Sequence, residues 1–306
     1  MHILIVRPGA IGDTLLTFPV IQALRAHYNN PHITLVSNPA VLPLAIKFGL
    51  AEEVSDYGQI QWSDLFASTG IQQPTLSAQL RRVDMTICWL RDSTGIVKHN
   101  LSMAGVKNVV VVPGRPPEGE RIHIVDYLAR SIELASLSQP LQSLRERWVP
   151  PAQIPVQGQV TIAVHPGSGG AHKCWPVPCF AETIKRLWEH NCNVLVLIGP
   201  ADHARWAGLQ KLLPAPPMPA MLKVMIDTPL TAVAEQVQQC RCYLGNDAGI
   251  THLAAMLGVP TIVLFGPSDP AIWQPVGPSV EIMQAEAFEG LSVIIVIESI
   301  LRCLNK

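Results

Sequence analysis

Three short stretches of this 306-residue chain combine glycine with residues able to handle protons and phosphate charge. Gly12-Asp13 follows the apolar run His2 to Arg7 after a tight loop. His165-Pro166-Gly167-Ser168-Gly169-Gly170 leads to Lys173 and Trp175-Pro176. Asn246-Asp247-Ala248-Gly249 leads to His252. A carboxylate with an ordinary pKa near ~4 is ionised at neutral pH and accepts a proton or a hydroxyl hydrogen bond, which is the chemistry open to Asp13. A small-residue loop with a lysine suits a diphosphate: Ser168, Gly169 and the loop amides reach oxygens, and Lys173 supplies a point charge. At the third stretch Asp247 and Ala248 lead into a helix start that favours anions. Gly249 allows close approach to the backbone, and His252, one turn inside, is able to donate to a phosphate. Each residue has a structural alternative. Asp13 and Asp247 are also suited to capping helices, Lys173 to lying solvated on a turn, and His252 to being a satisfied core histidine. Asp202, at the tip of the strand Val194 to Gly199, reads either as an acceptor for a ribose diol or as the cap of a helix beginning near Ala204.

The elements that must position these residues alternate regularly. Apolar runs at 2–7, 33–37, 85–90, 109–112, 160–165, 194–199 and 224–226 read as strands buried on both faces. Helical spacing intervenes, as in Ile124, Leu128, Ile132 and Ala135 of a helix over 122–137, and in Leu230, Val233, Ala234 and Val237 of one opened by Thr228-Pro229. Cys242 to Gly277 reads as one βαβ unit, its helix stopped by Gly258 and Pro260. Residues 57–80 show no clean period, which predicts loops and short helices. The pattern of the first half closes near residue 137. A proline- and glutamine-rich linker, expected to act as a hinge, spans 138–159. The domains are therefore expected at 1–150 and 151–291, with a surplus helix at about 292–306.

Composition bounds the function. A formal charge of −1 excludes a basic nucleic-acid module, so any anion site is local. Met1 to Val6 lacks the long apolar core of a signal peptide, and the late run Leu291 to Ile297 is too short to cross a bilayer; the expectation is a cytoplasmic protein. The seven cysteines include no C-x-x-C pair, which argues for reduced thiols and against a zinc or disulfide framework. The loop after the first strand is neither the G-x-G-x-x-G dinucleotide fingerprint nor a P-loop.

Taken together, Gly12-Asp13, His165-Pro166-Gly167-Ser168-Gly169 with Lys173-x-Trp175-Pro176, and Asn246-Asp247-x-Gly249-x-x-His252-Leu253-Ala254-Ala255 followed by Phe265-Gly266-Pro267-Ser268-Asp269-Pro270 resemble glycosyltransferase family 9, the ADP-heptose:lipopolysaccharide heptosyltransferase family. The resemblance implies a GT-B fold, two Rossmann-like domains with parallel sheets facing across a cleft, the first for acceptor and the second for nucleotide-sugar. The last helix is expected to pack back on the first domain. It also implies inverting, metal-independent transfer of a heptose from a nucleoside-diphosphate sugar such as ADP-heptose to a lipopolysaccharide core or other cell-surface glycan, without a cofactor.

By the same resemblance Asp13 is the catalytic base and Gly12 supports its loop. The donor is held by Ser168, Gly169, Lys173, Asp202, Asp247, Ala248, Gly249 and His252. Cys174 and Ala248 depart from the family pattern, Ala248 by lacking a small hydroxyl. Acceptor contacts are expected from 57–80 and 113–121, with Arg91, Arg115 and Arg121 either meeting an anionic glycolipid or simply solvated. Peripheral contact with the inner face of the membrane is left open. A nucleotide-sugar epimerase or hydrolase of the same architecture, or an inactive nucleotide-sugar-binding subunit, would carry the same motifs, although a pure binder has little use for Asp13.

Overall fold

The computed structural model describes residues 1–132, 143–151 and 159–305. The chain divides into two compact units, Met1–Trp148 and Val149–Lys306, close to the expected boundary. Most of the 138–159 linker, and the end of the helix expected over 122–137, lie outside the described residues.

In the first unit β1 (His2–Val6), β2 (His32–Ser37), β3 (Glu53–Asp56), β4 (Met85–Trp89) and β5 (Asn108–Val112) form a parallel sheet in the order β3-β2-β1-β4-β5. Ile3 to Val6 are at most 1% exposed, as a strand covered on both faces requires. The helices are α1 (Ile11–Leu15), α2 (Phe18–His27), α3 (Leu42–Lys47), α4 (Pro74–Leu80), α5 (Ile96–Met103), α6 (Ile124–Ser131) and the short α7 (Ser143–Glu146). Between residues 57 and 80 there are a 3-10 helix, Ile60–Phe66, and α4, in keeping with the lack of a period there. Trp62 and Leu65 of that 3-10 helix join Leu76, Leu80, Val97 and Leu101 in one core cluster over the sheet.

In the second unit β6 (Thr161–His165), β7 (Asn193–Ile198), β8 (Leu222–Ile226), β9 (Cys242–Asn246), β10 (Thr261–Phe265) and β11 (Val280–Gln284) form a parallel sheet in the order β11-β10-β9-β6-β7-β8. Its helices are α8 (Val177–Glu189), α9 (His203–Leu212), α10 (Leu230–Val237), α11 (Gly249–Met256), α12 (Pro270–Trp273) and α13 (Val293–Leu304). The βαβ unit stands as read. Gly277 is required there because a side chain would collide with the Ala255 carbonyl.

Three elements had no clear signal in the sequence. β3 and β11 are edge strands with polar residues at alternate or exposed positions, and α9 buries only Leu209, so its pattern is barely amphipathic. Among the described residues no helix is long and apolar enough to cross a membrane.

The last helix is a correction. α13 packs on α8 and β9 of the second unit, and Val296, Ile297 and Ile300 belong to the same core as Trp175, Phe180 and Leu244. The physical reason lies in its entry: Trp175 Nε1 donates to the Leu291 carbonyl at 3.2 Å, and Ser292 caps the helix by accepting from Ile295 N–H. The chain is thus turned onto its own sheet before the apolar run begins. Truncating fully buried Ile300 to alanine should cost about 2–5 kcal/mol of stability, read as a lower urea midpoint; an unchanged midpoint would contradict this packing.

Candidate functional site

Open parallel sheets bind ligands where the strand order reverses, outside the carboxyl ends of the strands. In the first sheet that point lies between β1 and β4, and in the second between β6 and β9. The short connection after β1 leads into α1, whose first turn carries Gly12 and Asp13. The connections after β6 and β9 carry Ser168, Gly169, Lys173, Asp247 and Ala248, with Gly249 opening α11. Topology therefore puts the sequence-selected residues where each fold has room for a ligand.

In the first domain the chain leaves β1 through Arg7. This arginine is 4% exposed, and its Nη2 donates to Asp13 Oδ1 at 3.0 Å. Asp13 Oδ2 accepts from Ala10 N–H at 3.0 Å, so it also holds the loop, as the helix-cap alternative proposed. Gly9 has φ +150°, and a side chain there would press on Asp13 at 2.9 Å, so glycine is needed for the carboxylate to sit where it does. Gly114 is required for a similar reason, since a side chain would collide with the Arg7 guanidinium. Burial pulls the Arg7 guanidinium below its ordinary value and Asp13 opposes that shift. Beside the pair opens a recess of about 640 Å³, lined by Arg7, Arg91, Arg115, Trp89 and several prolines. Arg115 Nη2 stands 3.7 Å from Asp13 Oδ2, so this arginine is part of the site's electrostatics and not merely solvated. Arg121 is not among the residues lining the recess.

In the second domain Asn246, fully buried at the end of β9, ties the two loops together. Its Nδ2 donates to the Pro166 and Gly167 carbonyls at 3.0 and 3.1 Å, and its Oδ1 accepts from Trp175 N–H at 2.9 Å. Across the same junction Ser168 Oγ donates to the Asp247 carbonyl at 2.7 Å, and Lys173 Nζ donates to Asp247 Oδ2 at 3.0 Å. The loop tip, Gly169, remains exposed. Cys174 is buried with its thiol toward the Gly170 carbonyl, so this departure from the family pattern fills space under the loop.

Asp247 does not cap α11. The cap position is Ala248, which makes no side-chain bond, and the first-turn amides are left uncapped by any side chain. His252 is 4% exposed and sets Nε2 3.7 Å from Asp247 Oδ1, which makes it first of all a partner of that carboxylate. Burial alone would push the Asp247 carboxyl up; His252 and Lys173 outweigh it and hold the group well below the ordinary carboxylate range.

Asp202 departs from its expected role. It is 4% exposed, its Oδ2 accepts from Gly199 N–H and pairs with His165 Nε2, both at 3.0 Å, and Gly167 packs so tightly over it that no side chain would fit there. It makes no cap bond at α9 either. In this structure that carboxylate is engaged by the protein's own groups. Asp202 instead supports the floor of the 166–170 loop, together with Arg205, which donates to the carbonyls of Pro166 and Trp175.

Arg7, Asn246, His165 and Arg205 are the residues that sequence reasoning passed over as site components. For Arg7, His165 and Asn246 the usable signal was a charged or polar residue directly at the end of an apolar strand, the position where a ligand-facing or loop-tying group belongs; Arg205, in the first turn of α9, had no such signal.

The depressed Asp247 value carries a sign. A carboxyl whose folded pKa lies below its unfolded value near ~4 stabilises the protein above that pH and loses the effect as pH falls. Asp247→Asn should therefore be less stable than the wild type by about 1–3 kcal/mol at neutral pH, with the gap closing below about pH 4, as measured by urea unfolding across pH. A gap independent of pH would contradict the ionised, paired state.

The family model for Glycosyltransferase family 9 (heptosyltransferase) matches residues 126–291. Lipopolysaccharide heptosyltransferase 2 of Escherichia coli K12 is 27% identical over 106 residues, 35% of this chain and 30% of that protein, so the aligned stretch spans under a third of it. Lipooligosaccharide heptosyltransferase 2 of Haemophilus influenzae is 20% identical over 93% of this chain and 88% of its own length. The solved structure of E. coli ADP-heptose LPS heptosyltransferase II aligns with a TM-score of 0.77 at 19% identity, covering 100% of this chain and 99% of that one, and with it the two parallel α/β sheets are those of the GT-B fold. Since the family model covers more than half of its length, the chain belongs to glycosyltransferase family 9, the heptosyltransferase family.

Proposed function

We propose that this chain is an inverting glycosyltransferase that moves a heptose from ADP-heptose, or a related nucleoside-diphosphate sugar, to a hydroxyl of a lipopolysaccharide core or similar cell-surface glycan. The observation that carries the reading is the convergence of Ser168, Lys173, Asp247 and the uncapped start of α11 at the switch point of the second sheet. An uncapped helix start offers amides and a positive dipole end to a leaving diphosphate, and Lys173 adds a cation at its mouth. Lys173 supplies the opposite charge to Asp247 and His252 faces it, which tempers that carboxylate's repulsion of the donor. These groups meet the charge that develops as the sugar leaves, so the reading needs neither a metal nor a cofactor.

In the first domain Asp13 acts as the general base. It takes the proton of the acceptor hydroxyl as that oxygen bonds to the anomeric carbon and the bond from that carbon to the diphosphate oxygen breaks. Arg7 and the Ala10 amide hold the carboxylate in one orientation, which is what a base needs if it is to meet a hydroxyl in line with the sugar. Three arginines lining the adjacent recess favour an acceptor bearing acidic groups. The site works with a donor dissolved at the protein surface and an acceptor presented by a membrane, without a membrane-spanning helix among the described residues.

Calorimetry with ADP, UDP, GDP and CMP should show selective ADP binding that weakens in Lys173→Ala. Asp13→Asn should keep ADP affinity while transfer falls by about 10²–10⁴-fold. Undiminished transfer in Asp13→Asn would overturn the assigned base, and sugar release or epimerisation without acceptor would turn the reading to a hydrolase or epimerase.

A further inference from the structure

The transfer reading makes no use of a cluster at the amino-terminal ends of β1, β2 and β3, the opposite end of β1 from the Asp13 loop. His2 opens β1 and is the register partner of His32, which opens β2. Thr34, two residues on, is the partner of Glu53, which opens β3. Paired positions in parallel strands point to one face, and positions two apart return to it, so His2, His32, Thr34 and Glu53 share a face at the rim of the sheet. The two imidazoles meet edge to face with centroids 4.6 Å apart, and His32 Nε2 lies 3.5 Å from Glu53 Oε1. One ligand atom from each of His2, His32 and Glu53 lies within 4.8 Å of the others.

We propose that His2, His32 and Glu53 bind a zinc-class transition-metal dication, with water as the fourth ligand, and that this ion ties the edge strand β3 to β1 and β2. The donor set is two imidazole nitrogens and one carboxylate oxygen, which suits zinc and its neighbours; magnesium and calcium require oxygen-rich shells. Tetrahedral zinc with bonds of ~2.0–2.1 Å sets its ligand atoms roughly 3.3–3.4 Å apart, so the His32–Glu53 edge at 3.5 Å is already near its bound length.

An outer partner is built in. Thr34, 1% exposed, donates from Oγ1 to Glu53 Oε2 at 3.1 Å, which leaves Oε1 toward the histidines, and the same hydroxyl bonds His2 Nε2 at 2.8 Å. Hydrogen bonds of this kind orient metal ligands. The Asp84 carboxylate, accepting from the His2 backbone N–H at 2.8 Å, adds negative charge beside the cation. A tie has a structural use here, because β3 is four residues long and its Glu53 and Val54 are exposed, so little apolar burial holds that edge.

The test is calorimetric titration of the chelator-treated full chain with zinc chloride and with magnesium chloride, alongside thermal unfolding in each salt, for the wild type, His32→Ala and Glu53→Gln. The wild type should take up one zinc per chain at this site, with a raised melting temperature and no response to magnesium. Both variants should fold, since both side chains are exposed, and should lose zinc affinity by more than the 10–100-fold typical of removing an outer partner. Zinc binding and melting shifts unchanged in both variants would assign any bound zinc to other groups and overturn the proposal, as would the absence of saturable binding in the wild type.

Discussion

The second domain depends on how it manages one buried carboxylate. Asp247 is 8% exposed at the end of a fully buried strand, where an uncompensated charge would be expelled or protonated. Lys173 comes from the loop after β6 and His252 from the first turn and a half of α11, so neutralising Asp247 brings three separate elements to one point. Asn246, one residue earlier, does the equivalent for uncharged groups by matching two carbonyls and an amide of the neighbouring loop. These bonds hold the 166–175 loop against the β9–α11 turn, and both loops leave the sheet at its switch point. A glycine-rich loop in this setting is preorganised, which is what a site that must receive a charged leaving group requires.

The first domain solves a parallel problem with the charges reversed in emphasis. There the cation, Arg7 at 4% exposure, holds a carboxylate whose own side chain is only 10% exposed. Two glycines make that arrangement possible, Gly9 by its positive φ and Gly114 by leaving room for the guanidinium. The fixed guanidinium sets the orientation of Asp13 while a small part of its carboxylate stays open to a ligand. Asp202 shows the opposite outcome. It was an equally good candidate by position, yet His165, the Gly199 amide and the backbone at Gly167 enclose it, and it serves the loop from beneath.

Much was legible before any coordinates. Continuous apolar runs identified most of the buried strands, because a strand covered on both faces has no polar alternation to confuse with a helix. Glycine-bearing turns after those runs marked the ligand ends of both sheets. The edge strands Glu53–Asp56 and Val280–Gln284 escaped, since an edge strand is held by ladder bonds to one neighbour and needs little apolar content. The destination of α13 also escaped, because an amphipathic helix declares that it has an apolar face and not which sheet that face will meet.

The sequence by itself determined the order of the buried strands and their helices, the three loops that bear chemistry, and, through their joint order, the resemblance to the family. Only the tertiary structure decided which member of each loop faces outward: that Asp13 is held by Arg7, that Asp247 is matched by Lys173 and His252, and that Asp202 is closed in. The reason is physical. Chain order and hydrophobic period follow from local backbone geometry, whereas the partner of a buried charge can lie far along the chain, 37 positions for Asp202 and His165 and 74 for Asp247 and Lys173, and such residues meet only when the strands are laid side by side.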